Sequence, residues 1–261
     1  MAHTVYYFCI QCDFLNVGKL TDLELGTMIL AGACHDFEHP GLNNNFLAET
    51  RDDMAIFYND QSVLENHHVA ASFKLIKQEP FNIVANFDSV QYKAFRTHMI
   101  NMILGTDMAK HFSSLGKFKG RMVSDDFNAA DGDKLLAMEM VLHLADISNP
   151  TKRWSLCYKW TENLFDEFFK QGDKERAQGR PISQLMDRYT VNIARSQMGF
   201  LDYIVTPAYT ALKDMLPAAQ RNIDNIESNK EKWKALIDVF EEKMLAQANG
   251  PSSISVTGAP S

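Results

Sequence analysis

The sequence lacks features that several large classes of protein require. It has no apolar run long enough to span a membrane, and it does not open with a charged segment followed by an apolar one. Its formal net charge of −7 argues against binding to a nucleic-acid polymer. Four cysteines in 261 residues are too few for a disulfide framework. Together these absences predict a cytoplasmic protein with no membrane span.

Motifs of several common enzyme classes are also missing. There is no phosphate-binding glycine-rich loop, no G-x-S-x-G turn and no set of kinase motifs. Cys9 and Cys12 form a C-x-x-C pair, but no second pair exists to complete a zinc site, so we interpret them as structural. Alternating strand patterns and internal repeats are nearly absent, whereas apolar residues recur at helical spacing. This pattern predicts an all-α fold, built as one compact multi-helix domain.

Local signals divide the chain into helices and loops. Two S/T-x-x-E sequences, Thr21–Glu24 and Ser62–Glu65, are typical of capping boxes at helix starts. Residues 116–133 are rich in glycine, lysine, serine and aspartate, which indicates a surface loop. We assign residues 1–247 to the domain and 248–261, rich in glycine, proline and serine, to a disordered tail. Further helices are predicted over 62–77, 90–104, 134–147, 154–171, 191–205 and 222–247.

Histidines and carboxylates cluster at the ends of apolar helices, most densely in the sequence HDFEHPGLNNN of residues 35–45. On a helix, His35 and His39 would share one face. Such groups resist burial unless they are paired or bound to a metal, although a bare HxxxH is also common at a helix end that faces water. Asp36 has two oxygens and could bridge two cations. The pattern favours metal-dependent hydrolysis of a phosphate ester. Similar polar groups are Glu65 and His68, Thr106, Asp107 and His111, and His143 and Asp146.

With these motifs assembled, the chain resembles the catalytic domain of the class I 3′,5′-cyclic nucleotide phosphodiesterases. It is most similar to the calmodulin-dependent branch and its protist relatives. The resemblance implies the all-α fold of the HD and phosphodiesterase type, and it covers about residues 4 to 240. The stretches that carry it are 20–24, 35–41, 58–68, 106–108, 143–150, 168–173 and 196–200.

The resemblance also implies a role for each matching residue. Two divalent cations, zinc and magnesium or manganese, would share a hydroxide that attacks the cyclic phosphate and releases a 5′-monophosphate. The metal ligands would be His35, Asp36 and Asp146, and the residues around the second cation would be His39, Glu65, His68 and Thr106. Gln197 would bind the purine edge between Phe200 and Leu164, in a pocket lined by Met108, Ile147, Asn149 and Phe168.

One element of the family is absent. A His-Asn-x-x-His sequence, which supplies the proton donor and one metal ligand, would fall before Met1. We therefore interpret the chain as N-terminally truncated. A catalytically impaired cyclic-nucleotide-binding homologue and another HD-type metal phosphohydrolase remain as alternatives.

The resemblance also bears on substrate and partners. Asn149 is typical of cAMP-selective members, but Cys157 stands where those members have a tyrosine that fixes the glutamine, so we expect cAMP with cGMP as a second substrate. Regulatory domains or calmodulin-like partners would lie outside this sequence.

Overall fold

The computed structural model describes residues 1–248, and side chains up to residue 242, and this part of the chain is helical without a strand. The all-α prediction is therefore confirmed. The α-helices are α1 (Ala2–Tyr6), α2 (Phe14–Val17), α3 (Asp22–Cys34), α4 (Asn44–Thr50), α5 (Asp53–Phe57), α6 (Val63–Ile76), α7 (Ser89–Leu104), α8 (His111–Met122), α9 (Lys134–Asp146), α10 (Trp154–Ala177), α11 (Ile193–Phe200), α12 (Thr206–Met215) and α13 (Gln220–Ala248). Short 3₁₀ turns join several of them, and π-helical turns follow α1 and α11.

Helix α9 lies at the centre of the core. All residues from Met140 to Ala145 are buried, which explains why its sequence is apolar on every side rather than amphipathic. Its neighbours are α1, α3, α7, α8 and α12. The hydroxyl of the fully buried Tyr209 donates a hydrogen bond of 2.6 Å to the carbonyl of Leu144, so the last turn of α9 has a fixed position. That turn ends at Asp146.

Helix α13 holds the turn that follows α9. The Asn229 amide, itself buried, donates to the carbonyls of Pro150 and Lys152, both at 2.8 Å. Asn222 and Asn225 on the same helix donate to Thr151, both at 2.9 Å. Since buried carbonyls in an irregular turn need hydrogen-bond donors, these amides stabilise the turn that carries Asn149. Contacts with a helix distant in sequence therefore hold the position of Asn149, a predicted site residue.

The two capping predictions have different outcomes. At Thr21 the capping box is confirmed, with reciprocal hydrogen bonds between Thr21 and Glu24. At Ser62 the prediction is wrong: α6 does begin at Val63, but the Ser62 side chain makes no cap hydrogen bond. Ser62 has a left-handed backbone, with φ of 42°, and its hydroxyl donates to Asp107 at 2.6 Å. A tertiary contact has replaced the local one.

The predicted loop over residues 116–133 is correct only in its second part, because α8 continues to Met122. Leu115 and Phe118 anchor that helix in the core, and the glycines at 116 and 120 meet open space. Helix α10 likewise continues beyond residue 171 to Ala177. The predicted tail lies outside the described residues, apart from Ala248 at the end of α13. Within residues 1–248, every helix is too short or too polar to cross a membrane.

Candidate metal centre and adjoining cavity

The central motif lies in a turn. Helix α3 ends at Cys34, and His35 to Glu38 form a tight turn in which Glu38 has a left-handed backbone, with φ of 62°. The prediction that His35 and His39 share a helix face is therefore wrong. The turn instead points each imidazole separately, and the following Gly41 is also left-handed, with φ of 72°. This geometry positions the two rings independently of helical spacing.

Three side chains from α9 and the end of α3 converge at one point. The Nε2 atom of His35 lies 2.8 Å from an oxygen of Asp36 and 3.1 Å from an oxygen of Asp146. The other ring nitrogen, Nδ1, donates to the carbonyl of Gly32 at 3.0 Å, which leaves Nε2 facing the two carboxylates. The structure thus brings together the three residues that the resemblance assigns to one cation.

Electrostatics show how strongly this cluster attracts positive charge. Burial by itself would lower the pKa of His35, but hydrogen bonds and charges from Asp146 and Asp36 raise it to about 10. Burial opposes ionisation of Asp36, yet His35 and the nearby His39 and His68 hold its pKa below the usual value. The two carboxylates therefore favour a cation between them, whether a proton on His35 or a metal ion.

A second set of donors shares Asp36 with the first. Ligand atoms of Asp36, His39 and His68 lie within 4.8 Å of one another, as do those of His35, Asp36 and Asp146. Nδ1 of His68 donates to the carbonyl of Phe37 at 2.7 Å, which turns its Nε2 towards Asp36. Because a carboxylate has two oxygens, Asp36 can serve both sets at once.

His39 differs from His68 in its hydrogen bonding, although the two rings stack with centroids 5.6 Å apart. The backbone N–H of Gly41 donates to Nδ1 of His39 at 3.0 Å, so a neutral His39 carries its hydrogen on Nε2. A ring with that tautomer donates a hydrogen bond rather than binding a metal through Nε2. The role of His39 around the second cation stays a prediction.

Glu65 and Thr106 are further polar residues beside the two histidines and Asp36. Asn44 makes two hydrogen bonds here: its amide nitrogen donates to Glu65 at 3.0 Å, and its amide oxygen accepts from the N–H of Leu64 at 2.9 Å. Burial raises the pKa of Glu65 although Asn44 opposes the shift. The hydroxyl of the buried Thr106 donates to the carbonyl of Ile103 at 2.8 Å, which leaves its oxygen lone pairs available.

A cavity of about 690 Å³ opens beside these donors. Its size is typical of a small-molecule site. Sequence-predicted residues that line it are Asp36, His39, Glu65, His68, Thr106, Met108, Asp146, Leu164 and Phe168. The lining therefore combines these polar side chains with the apolar side chains of Met108, Leu164 and Phe168.

Four predicted nucleotide-binding residues lie outside this lining: Ile147, Asn149, Gln197 and Phe200. Asn149 and Gln197 are nevertheless linked through Thr161, because the Asn149 amide donates to the Thr161 hydroxyl and that hydroxyl donates to Oε1 of Gln197, each at 3.4 Å. Both Ile147 and Gln197 are buried, and Phe200 packs against the core.

No sequence pattern indicated the residues that hold the α10 side of the cavity. Gln171 donates to Asn43 at 3.1 Å and to Glu175 at 2.9 Å, and Glu175 accepts from the backbone and hydroxyl of Ser183. These bonds tie α10 to the turn before α4 and to the segment after α10. Polar residues inside a helix seldom reveal such distant partners, so only the N-cap position of Asn43 could have been recognised.

Gly172 allows the segment after α10, which contains Met186, to approach that helix closely. A Cβ atom at this position would lie 1.8 Å from the carbonyl oxygen of Met186, so any larger residue would displace the backbone there. Met186 also lines the cavity. Gly172 is therefore required by a close backbone approach that shapes the wall.

A further pair of histidines lies apart from the metal centre. Nδ1 of His111 and Nε2 of His143 are 2.9 Å apart, and both rings are buried. No carboxylate bonds to either ring within the described residues. Burial and the neighbouring His143 lower the pKa of His111 to about 4, and burial lowers that of His143. The two histidines therefore form a neutral structural pair.

The residues of the centre fit divalent cations. His35, Asp36 and Asp146 form one nitrogen-and-oxygen donor set, and His68 offers a further nitrogen beside Asp36. Backbone carbonyls orient His35 and His68 as they orient metal-binding imidazoles in general. His35, Asp36 and Asp146 suit a nitrogen-tolerant cation such as zinc, while Asp36 with its surrounding oxygens suits a harder cation.

Comparisons with known proteins identify the family. The family model described as 3′5′-cyclic nucleotide phosphodiesterase matches residues 1–226. A mouse dual specificity calcium/calmodulin-dependent 3′,5′-cyclic nucleotide phosphodiesterase 1C is 42% identical over 216 residues, which cover 82% of this chain and 30% of that protein.

Two invertebrate relatives are about equally similar. A probable 3′,5′-cyclic-AMP phosphodiesterase pde-4 of Caenorhabditis elegans is 41% identical over 83% of this chain and 33% of its own length. The Drosophila melanogaster 3′,5′-cyclic-AMP phosphodiesterase, isoform F, is 41% identical over 84% of this chain and 34% of its own. The chain thus spans about a third of the relatives it matches. It belongs to the 3′,5′-cyclic nucleotide phosphodiesterase family.

Proposed function

We propose that this chain forms part of the catalytic domain of a metal-dependent 3′,5′-cyclic nucleotide phosphodiesterase that releases 5′-monophosphates. The observation that carries the proposal is the convergence of His35, Asp36 and Asp146, with His68 beside Asp36, at the edge of a cavity of nucleotide size. The family supplies the substrate class, since the matched relatives are described as phosphodiesterases of cyclic nucleotides.

Each part of the centre has a distinct task in this proposal. Divalent cations held by His35, Asp36 and Asp146 would activate a water molecule and neutralise the phosphoryl oxygens. His68 would present its Nε2 to a cation beside Asp36, and His39 would donate a hydrogen bond from its Nε2. Glu65, whose pKa is raised by desolvation, would accept and return a proton near the centre.

The bond network around Gln197 supports a preference for adenine. Thr161 donates to Oε1 of Gln197, which fixes that end of the amide and leaves the nitrogen end to donate to a purine acceptor, so that selection between the two purines falls to Asn149. Oδ1 of Asn149 is buried and accepts no hydrogen bond within the described residues, so it is ready to accept one from an amino group. Adenine carries such a group where guanine carries an oxygen acceptor.

The test is hydrolysis by the full-length gene product. We expect turnover of cAMP that requires a divalent cation, a smaller kcat/KM for cGMP, and a 5′-monophosphate product. Asp146→Ala should lower kcat/KM by about 1000-fold or more, because it removes a cation ligand and half of the charge opposite His35.

A matched control uses the histidine pair away from the centre. His111→Gln should keep kcat/KM within about threefold of the wild type, because His111 contacts neither the cavity nor the cation ligands. Retained activity in Asp146→Ala would contradict the ligand assignment. Nucleotide binding without turnover would favour an impaired homologue, and hydrolysis of non-cyclic nucleotides alone would favour another HD-type phosphohydrolase.

A further inference from the structure

A second cavity, of about 570 Å³, lies on the opposite side of α6 from the metal centre. Its floor and walls come from α6, α7, the segment between them and Tyr58 at the end of α5, and it shares no residue with the cavity beside the metal centre. Glu65 and His68 face the metal centre, whereas Asn66 and Phe73 on the same helix face this second cavity. The metal centre and its proposed reaction therefore make no use of it.

The charge in this second cavity has one sign. Three cationic side chains line it, Lys74, Lys77 and Arg96, and its lining in the described residues contains no carboxylate. Within the described part of the chain, none of the three forms an ion pair. In a protein of net charge −7 this concentration of unpaired cations is unusual, and it favours an anionic occupant.

The remaining walls are aromatic and apolar. The guanidinium of Arg96 lies over the ring of Phe73, 4.4 Å from its centroid, which holds the fork of N–H donors in a fixed plane. Tyr58 and Tyr92 also line the cavity, and Val69 and Ile76 form a buried part of its floor. Such surfaces bind flat rings by stacking.

These features together restrict the ligand. A bare inorganic anion would leave the apolar floor in contact with water, and a neutral ring would leave the three cations unpaired. A planar arginine fork binds phosphate oxygens in pairs, which a lysine cannot do. The volume falls within the range of small-molecule sites. The cavity suits a phosphate attached to a flat aromatic body.

We propose that this second cavity is a binding site for a nucleoside 5′-monophosphate, with the phosphate on Arg96, Lys74 and Lys77 and the base beside Tyr58 and Tyr92. The proposed enzymatic function would generate molecules of this class. The site itself does not depend on that function, because it needs neither the cations nor turnover.

The test is fluorescence titration with N-methylanthraniloyl-AMP in EDTA, so that no cation can recruit phosphate to the metal centre. We expect saturable binding that AMP displaces at a concentration at least tenfold lower than adenosine or inorganic phosphate. Arg96→Gln should raise Kd at least tenfold, the size expected for loss of a charge-assisted hydrogen-bond pair. Lys77→Gln should raise Kd about threefold or more.

Two controls separate this site from the rest of the molecule. Lys93→Gln removes an exposed lysine of α7 that does not line the cavity, and Asp146→Asn alters the metal centre; both should leave Kd unchanged. Absence of saturable binding, equal Kd in Arg96→Gln and wild type, or displacement by a glutamate-rich peptide but not by AMP would overturn the proposal. Loss of binding in Asp146→Asn would assign the nucleotide to the metal centre and would also overturn it.

Discussion

Two groups of histidines near the end of α9 show how differently one residue type can behave. His35 lies between Asp36 and Asp146, which raise its pKa to about 10 despite burial. His111 lies against another imidazole, and burial lowers its pKa to about 4. The first group attracts cations and the second excludes charge. The neighbouring carboxylates, rather than the histidines, therefore distinguish the candidate metal centre from the structural pair.

The largest effect is expected on the affinity of the two histidine groups for zinc. His35→Ala should weaken zinc binding at least 100-fold, because it removes a nitrogen ligand and leaves the two carboxylates repelling each other. His111→Gln should bind zinc as the wild type does. Isothermal titration calorimetry of both variants measures the difference. Equal zinc affinity in His35→Ala and wild type would show that the cluster is not the metal centre.

A smaller effect is expected on stability as the pH falls. The unfolded chain takes up a proton at His111 near pH 6.5, whereas the folded protein takes it up only near pH 4. Stability contributed by neutral His111 is therefore complete above pH 6.5 and is lost as the pH falls towards 4, by about 1 to 3 kcal/mol.

Comparison with His111→Gln isolates that contribution. The glutamine does not titrate, so the free energy of unfolding from urea titrations should fall less steeply for this variant between pH 6.5 and pH 4. If the free energy of unfolding depended on pH equally in the wild type and in His111→Gln, burial would not depress the pKa of His111.

The smallest effect is expected at a third histidine. His67 bonds to Glu38 at 2.8 Å, but the Glu38 side chain is half exposed, so solvent weakens the pair. His67→Ala should change the free energy of unfolding by less than about 0.5 kcal/mol, and zinc affinity by less than about threefold. Thermal unfolding with and without zinc measures both. A large loss of zinc affinity would place His67 among the ligands.

Local signals predicted those parts of the fold that depend on nearby residues. The capping box at Thr21 needs only Glu24, so its sequence was sufficient. Ser62 carries the same signal, but its hydroxyl bonds to Asp107, forty-five residues away, and no local pattern contains that information. Helical periodicity likewise identified α9, whose continuous apolar sequence reflects burial on all sides.

The site was predictable in its residues but not in its geometry. Spacing suggested that His35 and His39 act together on one helix face, whereas the turn after Cys34 separates them. Spacing also marked His111 and His143 as equal candidates, because burial and the absence of a carboxylate partner arise only from tertiary packing. The family resemblance grouped Asp146 with His35, and the structure places them 3.1 Å apart.

Helix ends distant in sequence meet at His35, Asp36 and Asp146, where we propose that a divalent cation binds. Anomalous diffraction at the zinc absorption edge, from crystals grown with zinc, tests it most directly. We predict a peak about 2.0 to 2.2 Å from Nε2 of His35 and from oxygens of Asp36 and Asp146. A zinc peak at His111 and His143 instead, or no peak at this cluster under saturating zinc, would contradict the assignment of these three residues as cation ligands.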